Sequence, residues 1–486
     1  MSQVEEILRP VTDAKRGAQD NPTPNHAGAP GSAAAPLVDQ VELAVRPTTI
    51  EQTGLSVNAL ADLTVKHLFT GGVLTISELA ARTALSGPIV EAVLNFLRKE
   101  ACIEVLGSAK SVSSGESPAA NLRYTLTDRG QRSAQDAMSR SGYIGSAPVT
   151  LEQYIEVTNA QSVHQYKITR DSVDNAFADV IIRQELLDQL GPALTSGRAI
   201  FIYGPAGTGK TYITQKLAKL FPDTTLVPHA IAIGEYVIEI FDPAIHRPAD
   251  RGGCGPSLML ERGHDPRFVR CNRPVVIVGG ELTADMLEIR YDASTRRYQA
   301  PLQLKANNGL FMIDDMGRQR VAPETVFNRW IVPLEEKKDY LTLGSGRHFS
   351  VPFDTVMLFS TNMHPLDLAD EAFLRRIGYK IEFPYPELGE FQEIWGQYCN
   401  DNDIRCEPDV FDFVVSDLYG RHQHPMLPCH PRDLLSIGVD RATYLGQQRL
   451  ISKEHIDWAW KNYFVSMRHE NYSRRTSSGH GDENND

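Results

Sequence analysis

A chain of 486 residues is too long for a single hydrophobic core and implies roughly two to four structural units. Its net charge of −12 and pI near 5.7 exclude a global positive field that would draw it onto nucleic acid, so any DNA contact must be local. With 42% hydrophobic and 23% charged residues the composition is globular, and no apolar run approaches the roughly 20 residues of a membrane-spanning helix.

Met1 to Glu6 lack the basic stretch and apolar core of a secretory signal, and the six cysteines form no CxxC pair, so a cytoplasmic protein with reduced thiols is expected. Residues 1–54 are rich in Pro, Ala, Gly, Ser and Asn and bury too little apolar area to offset ordering entropy; they read as a disordered leader. In the next segment, 55–145, Thr75 to Glu78 is a capping-box signature opening a helix that runs to Ala84. Leu85 to Gly87 makes a turn, and Pro88 starts a second helix in which Ile89, Val90, Val93, Leu94, Phe96 and Leu97 recur at helical spacing. Strands are expected over Cys102–Leu106 and Leu122–Leu126, bracketing the Gly/Ser-rich loop 107–121.

Helix, helix-turn-helix and hairpin together resemble a winged-helix (α+β) domain. Its nine Lys/Arg stand against eight Asp/Glu, and the presumed recognition helix offers Glu91, Asn95, Arg98, Lys99 and Glu100. That mixture makes a poor phosphate-binding face, so a protein-interaction or structural role stands beside DNA contact. A turn-rich stretch, Gly142 to Pro148, opens a linker over 146–173, and an α/β segment follows over 174–386.

Within that segment Arg198 to Tyr203 reads as a buried parallel strand and Tyr212 to Leu220 as a helix. Between them lies Gly204-Pro205-Ala206-Gly207-Thr208-Gly209-Lys210-Thr211. Glycines there let backbone N–H groups turn toward phosphate oxygens, Lys210 can reach the β- and γ-phosphates, and the Thr211 hydroxyl can hold Mg²⁺. ATP with Mg²⁺ is the expected ligand. A second apolar strand, Gly309 to Ile313, runs into Asp314 and Asp315. Asp314 suits the Mg²⁺ shell, and Asp315 the orientation and deprotonation of attacking water. A third, Thr355 to Thr361, ends in Asn362, at the edge where ligands of open parallel sheets collect.

In that order the P-loop, the Asp-Asp strand and the Asn-ended strand resemble the AAA+ ATPases, and within them the MoxR-like branch, over about Asp174 to Tyr463. The resemblance implies an α/β fold, a P-loop AAA+ parallel sheet sandwiched by helices, with a small all-α lid over 387–472 and hydrolysis of ATP. It also implies a helix over Ala176 to Leu190, sensor 1 at Asn362, and an arginine finger within Glu371 to Gly378, at Arg376 with Arg375 as the alternative. Arg432, in Cys429 to Leu435, takes the sensor 2 position. A finger serves the γ-phosphate of a neighbouring subunit. The implied assembly is therefore a ring, a hexamer, remodelling an unidentified protein partner as a chaperone would. The alternatives are a DNA-associated loader or regulator using 55–145, and a slow-hydrolysing nucleotide-dependent scaffold.

Two departures from the family stand out. Asp315 replaces the usual Glu, and Asp314-Asp315-Met316-Gly317 also resembles replication initiators and helicase loaders. The 104 positions from Lys210 to Asp314 imply an insertion over about 234–305, carrying Gly252 to Pro256 and a hairpin built from Met286–Tyr291 and Tyr298–Leu304. Leu341 to Val351, alternating about Gly344-Ser345-Gly346, reads as a further hairpin ahead of sensor 1. In the family such elements face the ring pore. The sets His246, Cys254, His264, Cys271 and His422, His424, Cys429, His430 match no structural zinc spacing. The polar tail over 473–486 reads as disordered.

Overall fold

The computed structural model describes residues 43–108, 122–249, 264–447 and 449–464. The leader up to residue 42, most of the loop 107–121, the Gly252 to Pro256 stretch and the tail 473–486 lie outside the described residues.

A helical turn at Ile50–Thr53 precedes α1 (Val57–Gly71), capped by the Ser56 hydroxyl, which accepts from the Ala59 amide. β1 (Leu74–Thr75) leads into α2 (Ile76–Thr83) through a reciprocal capping box between Thr75 and Glu78. α3 (Gly87–Lys99) has Pro88 in its first turn and buries Ile89, Val90, Val93, Leu94 and Leu97, the stripe read from the spacing. β2 (Ile103–Ser108) and β3 (Leu122–Leu126) pair antiparallel, β3 also pairs β1, and α4 (Asp128–Arg140) packs on α1. One core including Leu60, Leu68, Leu79, Leu94 and Tyr124 holds these elements.

Lys66 of α1 lies inside that core, 6% exposed, with its Nζ 3.4 Å from the Tyr143 carbonyl oxygen. Burial pulls its pKa down to about 8, only partly opposed by the Asp62 carboxylate. The unfolded chain keeps this proton up to about 10.5, so the native state is penalised while Lys66 is charged and stability from this group rises with pH between those values. Lys66→Met is therefore expected to raise the melting temperature at neutral pH, with a gain that shrinks toward pH 10. Thermal melts of the two proteins across that range check it; a gain that does not change with pH refutes the cause.

The stretch 146–173, expected to be a linker, is structured. It contains β4 (Val149–Thr150), α5 (Leu151–Ala160) and α6 (Arg170–Ala176), and capping boxes Thr150–Gln153 and Thr169–Ser172 open the two helices. Turns and N-caps draw on the same small polar residues, and that shared vocabulary disguised the helices as linker. The helix expected over 176–190 is also revised. Residues 177–183 are not helical, and α7 (Gln184–Thr195) starts beyond them. The β-branched run Val180-Ile181-Ile182 disfavours a helix there.

Next in the chain come β5 (Ile200–Tyr203), α8 (Lys210–Leu217), β6 (Thr224–Pro228), β7 (Ala230–Ile233), β8 (Tyr236–Glu239), β9 (Phe268–Asn272) and β10 (Val275–Val278). They are followed by β11 (Arg290–Asp292), β12 (Arg297–Gln299), β13 (Gly309–Ile313), α9 (Pro323–Glu336), β14 (Lys338–Thr342) and β15 (His348–Pro352). β16 (Thr355–Thr361), α10 (Glu371–Arg376) and β17 (Tyr379–Glu382) complete the segment.

Five strands pair in parallel in the order β10-β13-β16-β5-β17. Because side chains alternate along a strand, Ile200, Ile202, Leu310, Met312, Val356 and Leu358 pack on α7 and α8, while Phe201, Phe311, Ile313, Met357 and Phe359 pack on α9 and α10. The sheet is buried on both faces, and the expected α/β class is the one observed. The insertion expected over 234–305 needs correction, since β10 lies inside it and pairs with β13 as an edge of the core sheet. Four apolar residues after Pro274 are too few to distinguish a core strand from a loop by pattern.

β8, β11 and β12 of that span join β7 and β4 from outside it in a second, mixed sheet, β11-β12-β8-β7-β4. It shares a core with α5 and with the ladders β6–β9 and β14–β15, through Tyr154, Val157, Ile231, Ile238, Phe268 and Leu341. The hairpin β11–β12 is shorter than expected, since Ala284–Leu287 form a 3₁₀ turn. Its tip docks on the chain before β4. The Gly142 N–H donates to the Arg296 carbonyl at 3.0 Å, and a Cβ on Gly142 would come 1.8 Å from the Thr295 carbonyl oxygen.

The C-terminal unit contains α11 (Leu388–Asp401), a helical run over 410–422 that is π-helical at Phe413–Tyr419, α12 (His430–Tyr444) and α13 (Lys453–Tyr463). Phe391, Trp395, Leu434, Ile456 and Trp460 are in its core. Among the described residues no helix is long and apolar enough to cross a membrane.

Candidate nucleotide site

β5 brings the chain to the C-terminal edge of the parallel sheet, and residues 204–209 turn it into α8. Gly204 has φ +141, and a Cβ there would lie 2.3 Å from the Phe383 carbonyl oxygen just beyond β17, so only glycine fits. No side chain caps α8, leaving its first amides directed at the loop as an anion-binding end.

Lys210 is 6% exposed, and its ammonium donates to the Gly204 carbonyl at 2.8 Å, the Pro205 carbonyl at 2.7 Å and Asn362 Oδ1 at 2.8 Å. Burial lowers its pKa, and the Asp315 and Asp314 charges pull it part of the way back. Asn362 uses its other end as well, donating through Nδ2 to Asp315 Oδ1 at 3.0 Å. The Thr211 hydroxyl donates to Asp314 Oδ2, and the Asp315 N–H to Asp314 Oδ1 at 3.0 Å. Three strand ends, those of β5, β13 and β16, are thus joined by direct hydrogen bonds among Lys210, Thr211, Asp314, Asp315 and Asn362.

The Thr211 hydroxyl and the Asp314 carboxylate put two hard oxygens together beside the helix end, which fits Mg²⁺. Among the described residues no group of three or more His, Cys, Asp or Glu is placed to hold a metal by itself. Mg²⁺ needs no such cage, because waters and substrate phosphates fill its octahedron.

A cavity of about 510 Å³ adjoins the loop at Gly207, Thr208 and Gly209. Val180 and Ile182 line one wall, Tyr385 another, and Ile394 and Tyr398 of α11 a third. Apolar walls beside a glycine-rich loop with an uncapped helix end have the chemistry to take a planar base attached to phosphates. Arg183 ties the walls together. Its Nε lies 3.0 Å from both Glu390 carboxylate oxygens, and Nη2 donates to the Tyr385 carbonyl at 2.8 Å. Sequence reasoning missed these wall residues, because apolar side chains at a cavity look no different from core.

Residues 387–462, which supply α11, match a family described as a domain of unknown function (DUF8689). No curated protein matches the chain. Solved structures similar to it include the RuvB Holliday junction branch migration motor of Thermotoga maritima, at 14% identity and a TM-score of 0.33, covering 65% of this chain and 78% of that one. The complex of magnesium chelatase subunits BchI and BchD gives 15% identity and 0.32, covering 60% and 97%. NtrX from Brucella abortus gives 13% and 0.37, covering 71% and 70%. With TM-scores this low, the reading of the site rests on its own geometry.

The arginines divide into two groups. Arg432, near the start of α12, stands on the cavity rim with its side chain 65% exposed and its Nε donating to Asp433 at 2.9 Å. Arg376 lies elsewhere: its Nε donates to Glu335 at 2.6 Å and its Nη1 to the Ala372 carbonyl at 2.7 Å. Arg375, 79% exposed, pairs with Glu371 one turn back. Neither Arg375 nor Arg376 bonds to any residue of the loop or of the Asp pair in its own chain.

Proposed function

We propose that the chain is a Mg²⁺-dependent ATPase of the AAA+ type, in its MoxR-like branch. The observation that carries this reading is the bonding of Asn362 to both Lys210 and Asp315, which places a cation, a carboxylate and a polar amide around one point at the sheet edge. In this reading the loop amides and Lys210 hold the phosphates, and Thr211 and Asp314 hold the metal. Mg²⁺, when bound, draws charge from the β- and γ-phosphate oxygens. Asn362 orients a water, Asp315 accepts its proton, and Arg432 reaches in from the rim. Phosphate release from Mg-ATP by the full chain tests the proposal, and no release under any nucleotide or metal condition refutes it.

The domain assignment that accompanies this reading is an interaction module over 55–145, an ATPase core over 174–386 and a lid over 387–472. Arg376, which bonds to neither the loop nor the Asp pair of its own chain, serves the γ-phosphate of the next subunit in a hexameric ring, with Arg375 as the alternative. Such a ring remodels a protein partner recruited by 55–145. The exposed residues of α3, among them Glu91, Asn95, Arg98 and Lys99, mix both signs of charge and favour a protein partner over duplex DNA.

Arg376→Ala is expected to be inactive alone and to regain part of its ATPase when mixed with Lys210→Ala, because mixed interfaces combine one intact loop with one intact arginine. Steady-state assays of the mixture check this, and absence of any recovery sinks the shared site. A gel shift of the full chain on duplex DNA that weakens steeply with salt would instead support the loader or regulator reading.

A further inference from the structure

The turn that follows β13 is unusual in its backbone. Asp315 has φ +49 and Gly317 φ +103, two left-handed positions within three residues, and the first is not glycine. Two sets of bonds impose this shape. Met316 stitches the turn to β16, its N–H donating to the Ser360 carbonyl at 2.7 Å and its carbonyl accepting from the Thr361 hydroxyl at 2.9 Å. The Gln319 side chain provides the other set. Its Nε2 donates to the carbonyls of Asp314 at 2.9 Å and Asp315 at 3.2 Å, and its Oε1 accepts from the Gly317 N–H at 2.8 Å.

We propose that Gln319 is a positioning residue for ATP hydrolysis, holding Asp315 in its left-handed conformation so that the carboxylate stays on Asn362. The inference rests on the ATPase reading. Gln319 bonds only to main chain, spanning both carboxylate-bearing residues and the glycine beyond them. Asp314 keeps its aim without the strap, because its carboxylate is also held by the Thr211 hydroxyl and the Asp315 N–H. The Asp315 carboxylate has one side-chain hydrogen bond in the site, from Asn362, so relaxation of its φ toward the right-handed region swings it off line. The flanking Arg318 and Arg320 are exposed while Gln319 is half-buried, which sets the glutamine apart from a solvated loop.

The test is Gln319→Met, of similar length and without amide hydrogen bonds, in the full chain. Single-turnover phosphate release from Mg-ATP is expected to fall about tenfold or more, while KM for ATP stays within about twofold, because the groups that bind nucleotide are untouched. In an Asp315→Asn background the same change is expected to alter the rate by less than about twofold, since the residue through which Gln319 acts is already disabled. Gln319→Asn, one methylene too short to span the turn, is expected to show the same split and serves if the Met variant does not fold. An unchanged rate in Gln319→Met, or an equal fall in both backgrounds, overturns the proposal. If the parent releases no phosphate, the ATPase reading itself fails; an active parent with an unaffected Gln319→Met sinks this inference alone.

Discussion

Lys210→Ala is expected to lower kcat/KM for ATP by about a hundred- to a thousandfold, with weaker nucleotide binding as well as slower turnover. Three acceptors converge on this ammonium, the carbonyls of Gly204 and Pro205 and Asn362 Oδ1, inside a site where Lys210 is 6% exposed. Alanine removes the cation that offsets phosphate charge and leaves those three acceptors without their donor, so both the ground state and the transition state lose stabilisation. Arginine is not expected to rescue it, since a planar guanidinium does not fit the three-pronged geometry of an ammonium in so enclosed a place. Phosphate release together with calorimetric ATP binding checks the pair of effects. Parental binding and turnover in Lys210→Ala would remove the P-loop from the mechanism.

Asp315→Asn is expected to separate the two effects. Turnover falls by about a hundred- to ten-thousandfold, the range for loss of a positioned base, while ATP affinity is retained. Asparagine is nearly isosteric and tolerates left-handed backbone, so the turn at φ +49 survives the substitution. What disappears is the capacity to accept a proton. Nucleotide affinity measured beside phosphate release decides it, and hydrolysis at the parental rate would show that water is activated elsewhere.

The parts of the site that were legible in the sequence are those in which chemistry restricts residue type at fixed spacing. Gly204 to Thr211 could be located because its glycines recur at fixed spacing between an apolar strand and a helix, and the Asp314-Asp315 pair and Asn362 because they follow apolar strands. Elsewhere the information was not local. β10 is a core strand only through its pairing with β13, more than thirty positions downstream in register. Val180 and Ile182 differ from core residues only in what lies across the cavity. Gln319 bonds to main chain alone, and such bonds leave no side-chain partner for a motif to record. Helices α5 and α6 hid behind N-caps that resemble turns. Pattern shows that Arg375 and Arg376 end a helix; their ion pairs with Glu371 and Glu335 are a property of the fold.

The contact between the β11–β12 tip and Gly142 has a consequence for how such a chain changes over generations. Main chain closes most of the joint, with the Gly142 N–H on the Arg296 carbonyl and the Thr295 carbonyl filling the space where a Cβ would stand, and the Arg297 Nε adds a bond to the Gly142 carbonyl at 3.3 Å. The side chains of Ser294 and Thr295 bond back to Asp292 within the tip and take no part in the joint. Substitutions among them can therefore accumulate without opening it, whereas a single methyl group at position 142 acts as a wedge. Relatives that share this joint can drift apart at Ser294 and Thr295 and still carry glycine at the one site opposite them.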